Sequence, residues 1–328
     1  MKRRNFLKLA ASVAVLPATV LPTTWRVARA EAYPSRPVRV LVGTPAGGGM
    51  DIAGRIIAAA LTERLGQQFF VEDRPGAGTN LATEFVIRSA PDGYTLLLVS
   101  AANAINATLY SSLNFNFIRD AAPIATVARA PQVMEVHPSV PATTVPEFIA
   151  YAKANPHKIN MASAGNGSVQ HVAGELFKMM TGVDMVHVPY KGAGTALVDL
   201  LGGQMQVMFD TTPGSINHIR SGQLRALAVT TTSRIDVLPD LPPIADFVPG
   251  YEASQWYGLA AAKDTPADVV ARLNKEVIAA LADPAMKARL ADFGGTPFPG
   301  SPAEFGDLIV RETDKWAKVV KFSGATVD

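Results

Sequence analysis

The chain has 328 residues, 48% of them apolar, and no cysteine, which excludes disulfides, thiol catalysis and thiolate metal sites. It carries 30 basic and 28 acidic residues. Six of those 30 lie in residues 1–30, which hold no acid, so the rest carries 24 against 28, a net charge of −4, and offers no basic surface for nucleic acid.

Lys2-Arg3-Arg4-Asn5-Phe6-Leu7-Lys8 is a basic segment, followed by the short apolar run Leu9 to Leu16 and by small residues at Ala28-Arg29-Ala30. This is the pattern of an export signal cleaved near Ala30, too short to span a bilayer, and it sends the protein to the periplasm. The paired arginines favour the twin-arginine route over a Sec signal. No later apolar run reaches about 18 residues. The 298 residues that follow sit near the length at which a single core divides, so two lobes are expected.

"VLVGTPAGGGMDIAGRIIAAAL", residues 40–61, runs from a strand through three glycines into a helix whose Ile52, Ile56, Ile57, Ala60, Leu61 and Leu65 recur at helical spacing. "QFFVEDRP" reads as a strand, "GAGTNLATEFVIRS" as a second loop and helix, and "GYTLLLVSA" as a buried strand. "PQVMEVHP" carries the chain into a second lobe, where the order returns. "KINMASAGNGSVQHVAGELFKMM" is strand, Gly loop and helix; "VDMVHVPY", "KGAGTALVDLLGG" and "QMQVMFDTT" are strand, helix and strand. Gly-Ala-Gly-Thr occurs at Gly76–Thr79 and again at Gly192–Thr195, at matching places in the two orders. Such alternation means α/β lobes, each a mostly parallel sheet flanked by helices. "LRALAVTTTSR" and "SQWYGLAAAK" lead back to the first lobe. The tail is helical, with capping-box sequences at Thr265–Asp268 and Ser301–Glu304 and a helix start at Asp283-Pro284, and reads as scaffold packed on the first lobe.

Helices in a parallel sheet begin at the ligand crevice, and their free first-turn N–H groups attract anions. Gly47, Gly48 and Gly49 let backbone approach a ligand in one lobe, and Gly165-Asn166-Gly167-Ser168 does so in the other. A nucleotide fits poorly: no Lys follows the glycines, Ile52 stands where a third Rossmann glycine belongs, and Asp51 would repel phosphate. Asp51 instead suits a first-turn carboxylate paired with Arg55, or a direct contact to the ligand. There is no G-x-S-x-G elbow, and the five histidines lack a metal motif. His171 and Glu175 are four apart with no third ligand, so no metal is expected. His171 lies one turn into its helix, within sight of a ligand. Tyr190 is placed to close the cleft, beside a solvated Lys191, and Trp256-Tyr257 either line its hinge side or fill the core.

"YPSRPVRVLVGTPAGGGMDIAGRI", "DRPGAGTN", "PDGYTLL", "ASAGNGSVQHVAGELF", "HVPYKGAGTALVDLLGGQMQVMFD" and "WYGLAAAKDTPADVVARLN" together resemble the Bug (TctC-like) family of solute receptors of tripartite tricarboxylate transporters. The resemblance spans essentially all of the chain after the signal. It implies a type II, Venus-flytrap binding protein, monomeric, non-enzymatic and without a cofactor, closing on a small carboxylate. Residues 31–128 and 254–328 would form one lobe and 129–253 the other. Carried over, the ligand-binding residues are Pro45, Gly47, Gly48, Gly49 and Asp51; Ser100 and Asn103; Ser163, Gly165, Gly167, Ser168 and His171; and Tyr190, Gly192 and Asp210. The implied partners are integral-membrane transporter subunits, or a sensor kinase if the receptor signals; an enzyme on the same lobes is the remaining alternative. One departure is visible: family members commonly have an aromatic after the first-loop proline, and here Ala46 follows Pro45.

Overall fold

A computed structural model describes residues 33–327, so the export signal lies outside the described residues. From its start the chain runs β1 (Val38–Val42), α1 (Gly49–Leu65), β2 (Phe69–Asp73), α2 (Asn80–Ile87), β3 (Thr95–Ser100), α3 (Ala101–Leu109), the short α4 (Phe117–Asp120) and β4 (Ala121–Ala130). It continues as β5 (Gln132–Val136), α5 (Val145–Ala154), β6 (Asn160–Ser163), α6 (Val169–Thr181), β7 (Val186–Pro189), α7 (Ala193–Leu201), β8 (Val207–Thr211), α8 (Thr212–Arg220) and β9 (Arg225–Val229). It ends as β10 (Gln255–Ala262), α9 (Ala267–Ala282), α10 (Pro284–Asp292), β11 (Thr296–Pro297) and α11 (Pro302–Ser323).

Two mixed sheets result, in the orders β11-β4-β10-β3-β1-β2 and β7-β6-β8-β5-β9. Parallel pairs form one side of each sheet, out to the edge strands β2 and β7: β1 with β2 and β3, and β6 with β7 and β8. β10 and β5, the strands by which the chain enters each sheet from the other, run antiparallel to both of their neighbours. The chain leaves β4 of one sheet and enters β5 of the other across the single residue Pro131. Its return spans residues 230–254.

β4 is the strand that sequence pattern does not announce. "AAPIATVARA" is rich in alanine and contains Pro123, both poor strand formers, yet it pairs along its length with β10. The register shifts between Leu259 and Ala260, where Pro123 is paired, and an irregularity of that kind accommodates a residue that cannot donate.

The repeated Gly-Ala-Gly-Thr begins alike and then diverges. Gly76 has φ 141° and Gly192 has φ 140°, a region that favours glycine. After Gly76, Ala77, Gly78 and Thr79 all keep positive φ in a tight turn before α2. After Gly192, the next three residues enter α7 directly.

In the tail, Ser301 and Glu304 form the expected capping box of α11. The Thr265 box does not form. The Thr265 hydroxyl donates to Ala262 O at 2.7 Å, and α9 begins after Pro266 without a side-chain cap. Asp283 caps α10 by accepting from Ala285 N. α11 packs on α3 of the first sheet and also on α6 of the second, so the tail is not confined to one lobe.

Candidate functional site

Five helices direct their N-termini at one cavity of about 1080 Å³ lined from both sheets: α1, α3, α6, α7 and α8. First-turn N–H groups have no helical carbonyl to bond, and their aligned dipoles favour negative charge. Pro45, Gly48, Gly49, Ser100, Gly167, Ser168 and Gly192 border this cavity, as the sequence suggests.

The other candidates stand behind that surface and hold it in shape. Asp51 is buried, accepts from Gly47 N at 2.8 Å and pairs with Arg55 Nε at 2.7 Å. Burial pushes its carboxyl up, but the bonds from Arg55 and Gly47 outweigh this and hold it below the usual range. It is the first-turn carboxylate, and Gly47 is the exposed turn it fastens. Asn103 accepts from Ser100 N at 3.0 Å and donates to Thr83 Oγ1 at 2.8 Å.

In the second loop, Ser163 Oγ accepts from Gly165 N at 3.1 Å and lies 2.6 Å from His187 Nε2. His171 Nδ1 accepts from Gly167 N at 3.1 Å, and its ring stacks on His187 at 3.8 Å. Burial, above all, pushes His171 down to about 3 and His187 down to about 4, so both imidazoles are neutral braces of the loop. His171 Nε2 is 3.9 Å from Glu175, and no cluster of three metal-ligating side chains occurs among the described residues.

Tyr190 is not among the lining residues: its hydroxyl donates to Asp199 at 2.6 Å. Asp210 is buried beneath Gln170, whose Nε2 donates to it at 3.4 Å. Ser215 Oγ lies 3.1 Å from Asp210 Oδ2 and 2.7 Å from Glu135 Oε1. A hydroxyl has one proton, so one of the two carboxyls supplies its own. Burial, followed by the Asp210 charge, pushes Glu135 up to about 8, which makes Glu135 the protonated member.

Several lining residues escape sequence reasoning. Ile52 and Ile56 face the cavity, while the core face of α1 is formed by Met50, Ala53, Ile57, Ala58 and Leu61. Tyr257 lines it and Trp256 points away to Glu312, as alternation along β10 requires. The scaffold reading of α10 needs correction: Arg289, Asp292 and Phe293 reach the cavity, and Phe293 packs on Tyr257 with ring centroids 5.9 Å apart. A Cβ on Gly49 would meet Tyr257 Oη at 3.3 Å and Phe293 Cε2 at 3.6 Å, so these rings sit directly on the start of α1. Arg289 is the one cationic residue among those lining the cavity.

The model of the family described as "Tripartite tricarboxylate transporter family receptor" (TctC) matches residues 53–324. The chain belongs to the TctC family. Among curated TctC relatives, BugT of Bordetella pertussis is 36% identical over 299 residues, covering 90% of this chain and 92% of BugT. Among solved structures, R. palustris Rpa4515 with adipate has 36% identity and a TM-score of 0.78, over 90% of this chain and 100% of that one. MatC (Rpa3494) from Rhodopseudomonas palustris with bound malate has 32% identity and a TM-score of 0.74, over 88% of this chain and 100% of that one. The two-lobed α/β fold is that of TctC solute-binding proteins. No helix among the described residues is long and apolar enough to cross a membrane.

Proposed function

We propose that this protein is a periplasmic receptor that closes on a small carboxylate and delivers it to a tripartite tricarboxylate-type transporter. The observation that carries the reading is the convergence of five helix N-termini on one cavity bordered by both sheets. Relatives bound to adipate and to malate support a carboxylate as the ligand class. The hinge falls where the chain passes between sheets, at Pro131 and within residues 230–254, so the lobe built on β11-β4-β10-β3-β1-β2 moves against the lobe built on β7-β6-β8-β5-β9. Binding rather than catalysis suits the lining, which includes no histidine or lysine, and whose Ser100 and Ser168 hydroxyls accept first-turn N–H bonds. Membership of a transporter-receptor family supports membrane subunits as the partner.

A thermal-shift screen of mono-, di- and tricarboxylates, with nucleotides and sugars as controls, tests this. At a hundredfold excess over Kd a ligand adds about 2.7 kcal/mol, or a shift of roughly 4 °C for a chain of this size. A shift with nucleotides or sugars and none with any carboxylate overturns the proposal.

A further inference from the structure

The back of the cavity is polar in a way that the helix N-termini do not explain. Gln132 opens β5 immediately after the Pro131 crossover, and its neighbour across the sheet is Thr211 of β8. Both residues border the cavity. Thr230 clamps the Gln132 backbone from the other side: Thr230 Oγ1 accepts from Gln132 N at 3.0 Å, and Thr230 N donates to Gln132 O at 2.9 Å. The residue is 0% exposed, yet neither Nε2 nor Oε1 of its side chain has a hydrogen-bond partner. Gln255, which opens the other crossover strand β10, also borders the cavity with an unpartnered Oε1.

A buried amide with both ends unpaired is costly, and such groups are nearly always satisfied. A carboxylate cannot satisfy this one, because it only accepts: it would serve Nε2 and leave Oε1 unpaired. A neutral group that both donates and accepts serves both atoms. Resting on the receptor reading above, we infer that the solute carries a hydroxyl or carboxamide on its body, read by Gln132 at the hinge while its carboxylate faces the helix N-termini. Gln132 is then a specificity-determining residue, and Gln255 of the second crossover strand borders the same cavity.

The test is calorimetry with matched pairs that differ in that group alone: lactate against propionate, malate against succinate, citrate against tricarballylate, and succinamate against levulinate. The first three pairs remove a hydroxyl and the last removes the amide donor, so the arms separate the two chemistries. For the pair that fits, the hydroxylated or amidated member is expected to bind about tenfold or more tightly. Gln132→Met, which keeps the volume and removes the amide, is expected to bring that member to within about twofold of its parent. The wild-type comparison needs no variant, so it stands even if Gln132→Met folds poorly. Equal binding within every pair, or discrimination that survives in folded Gln132→Met, overturns the inference and leaves the carboxylate reading in place. A panel in which no carboxylate binds overturns both.

Discussion

At the scale of single residues, the two glycine loops call for glycine for different reasons. Gly48 has φ −77°, and a Cβ there would meet nothing nearer than Pro45 O at 3.4 Å. A side chain is therefore tolerated by the fold but projects where the α1 amides meet the ligand. Gly48→Val is expected to shift stability by less than about 1 kcal/mol and to weaken carboxylate binding more than about tenfold, measured by melting and calorimetry. Glu135 supplies a second residue-scale test. Its folded-state pKa of about 8 lies above the ordinary 4.5, so between these values the folded form holds a proton that the unfolded chain has released. Stability from this group is therefore full below 4.5 and is lost as the pH rises toward 8. Glu135→Gln is expected to flatten the fall of the melting midpoint toward pH 8, and an unchanged slope contradicts a neutral Glu135. The glycines, Ser100 and Ser168 could be read from sequence because backbone access and capping leave local signatures. Gln132, Gln255 and Arg289 could not, because their place at the cavity depends on how separate strands and helices meet.

At the scale of elements, local pattern identified the βα repeats well, since each has a clear switch from strand to helix periodicity at a glycine. It failed where tertiary pairing overrides composition, as in alanine-rich β4. It located α1 but not the use of its faces, for Ile52 and Ile56 line the cavity wall while Ile57 and Leu61 face the core. Capping boxes were legible at Ser301 and not at Thr265, whose hydroxyl turns back to Ala262 O instead. The difference is measurable. Ser301→Ala removes the Oγ half of its box, the bond accepted from Glu304 N, while the 301 backbone N–H still reaches Glu304, and it is expected to cost about 1 kcal/mol of stability, with ligand affinity unchanged. Thr265→Ala, which loses no cap, serves as the comparison in the same denaturation experiment.

At the scale of the whole molecule, contacts on two sides of the cavity tie the lobes together. Gly167 of the second loop has φ 74°, and a Cβ there would collide with Leu109 Cδ2 on α3. Gly294, beyond α10, has φ 78°, and a Cβ there would collide with Pro213 Cγ on α8. Each glycine lets one lobe seat closely on the other. Gly294→Ala is therefore expected to disfavour closure and to weaken apparent affinity several-fold, because affinity falls with the fraction of closed, binding-competent protein. Small-angle scattering at sub-saturating ligand should show a larger radius of gyration for the variant, and equal radii and affinities would contradict this contact as a latch.

The central claim, a carboxylate held between the lobes by the α1 and α6 loops, meets its most direct test in native mass spectrometry of the exported protein. The folded wild type is expected to carry a small adduct that denaturation releases as a carboxylic acid, and Gly48→Val prepared in the same way is expected to carry none. An adduct identified as a nucleotide or a sugar, or one retained equally by folded Gly48→Val, would contradict the account.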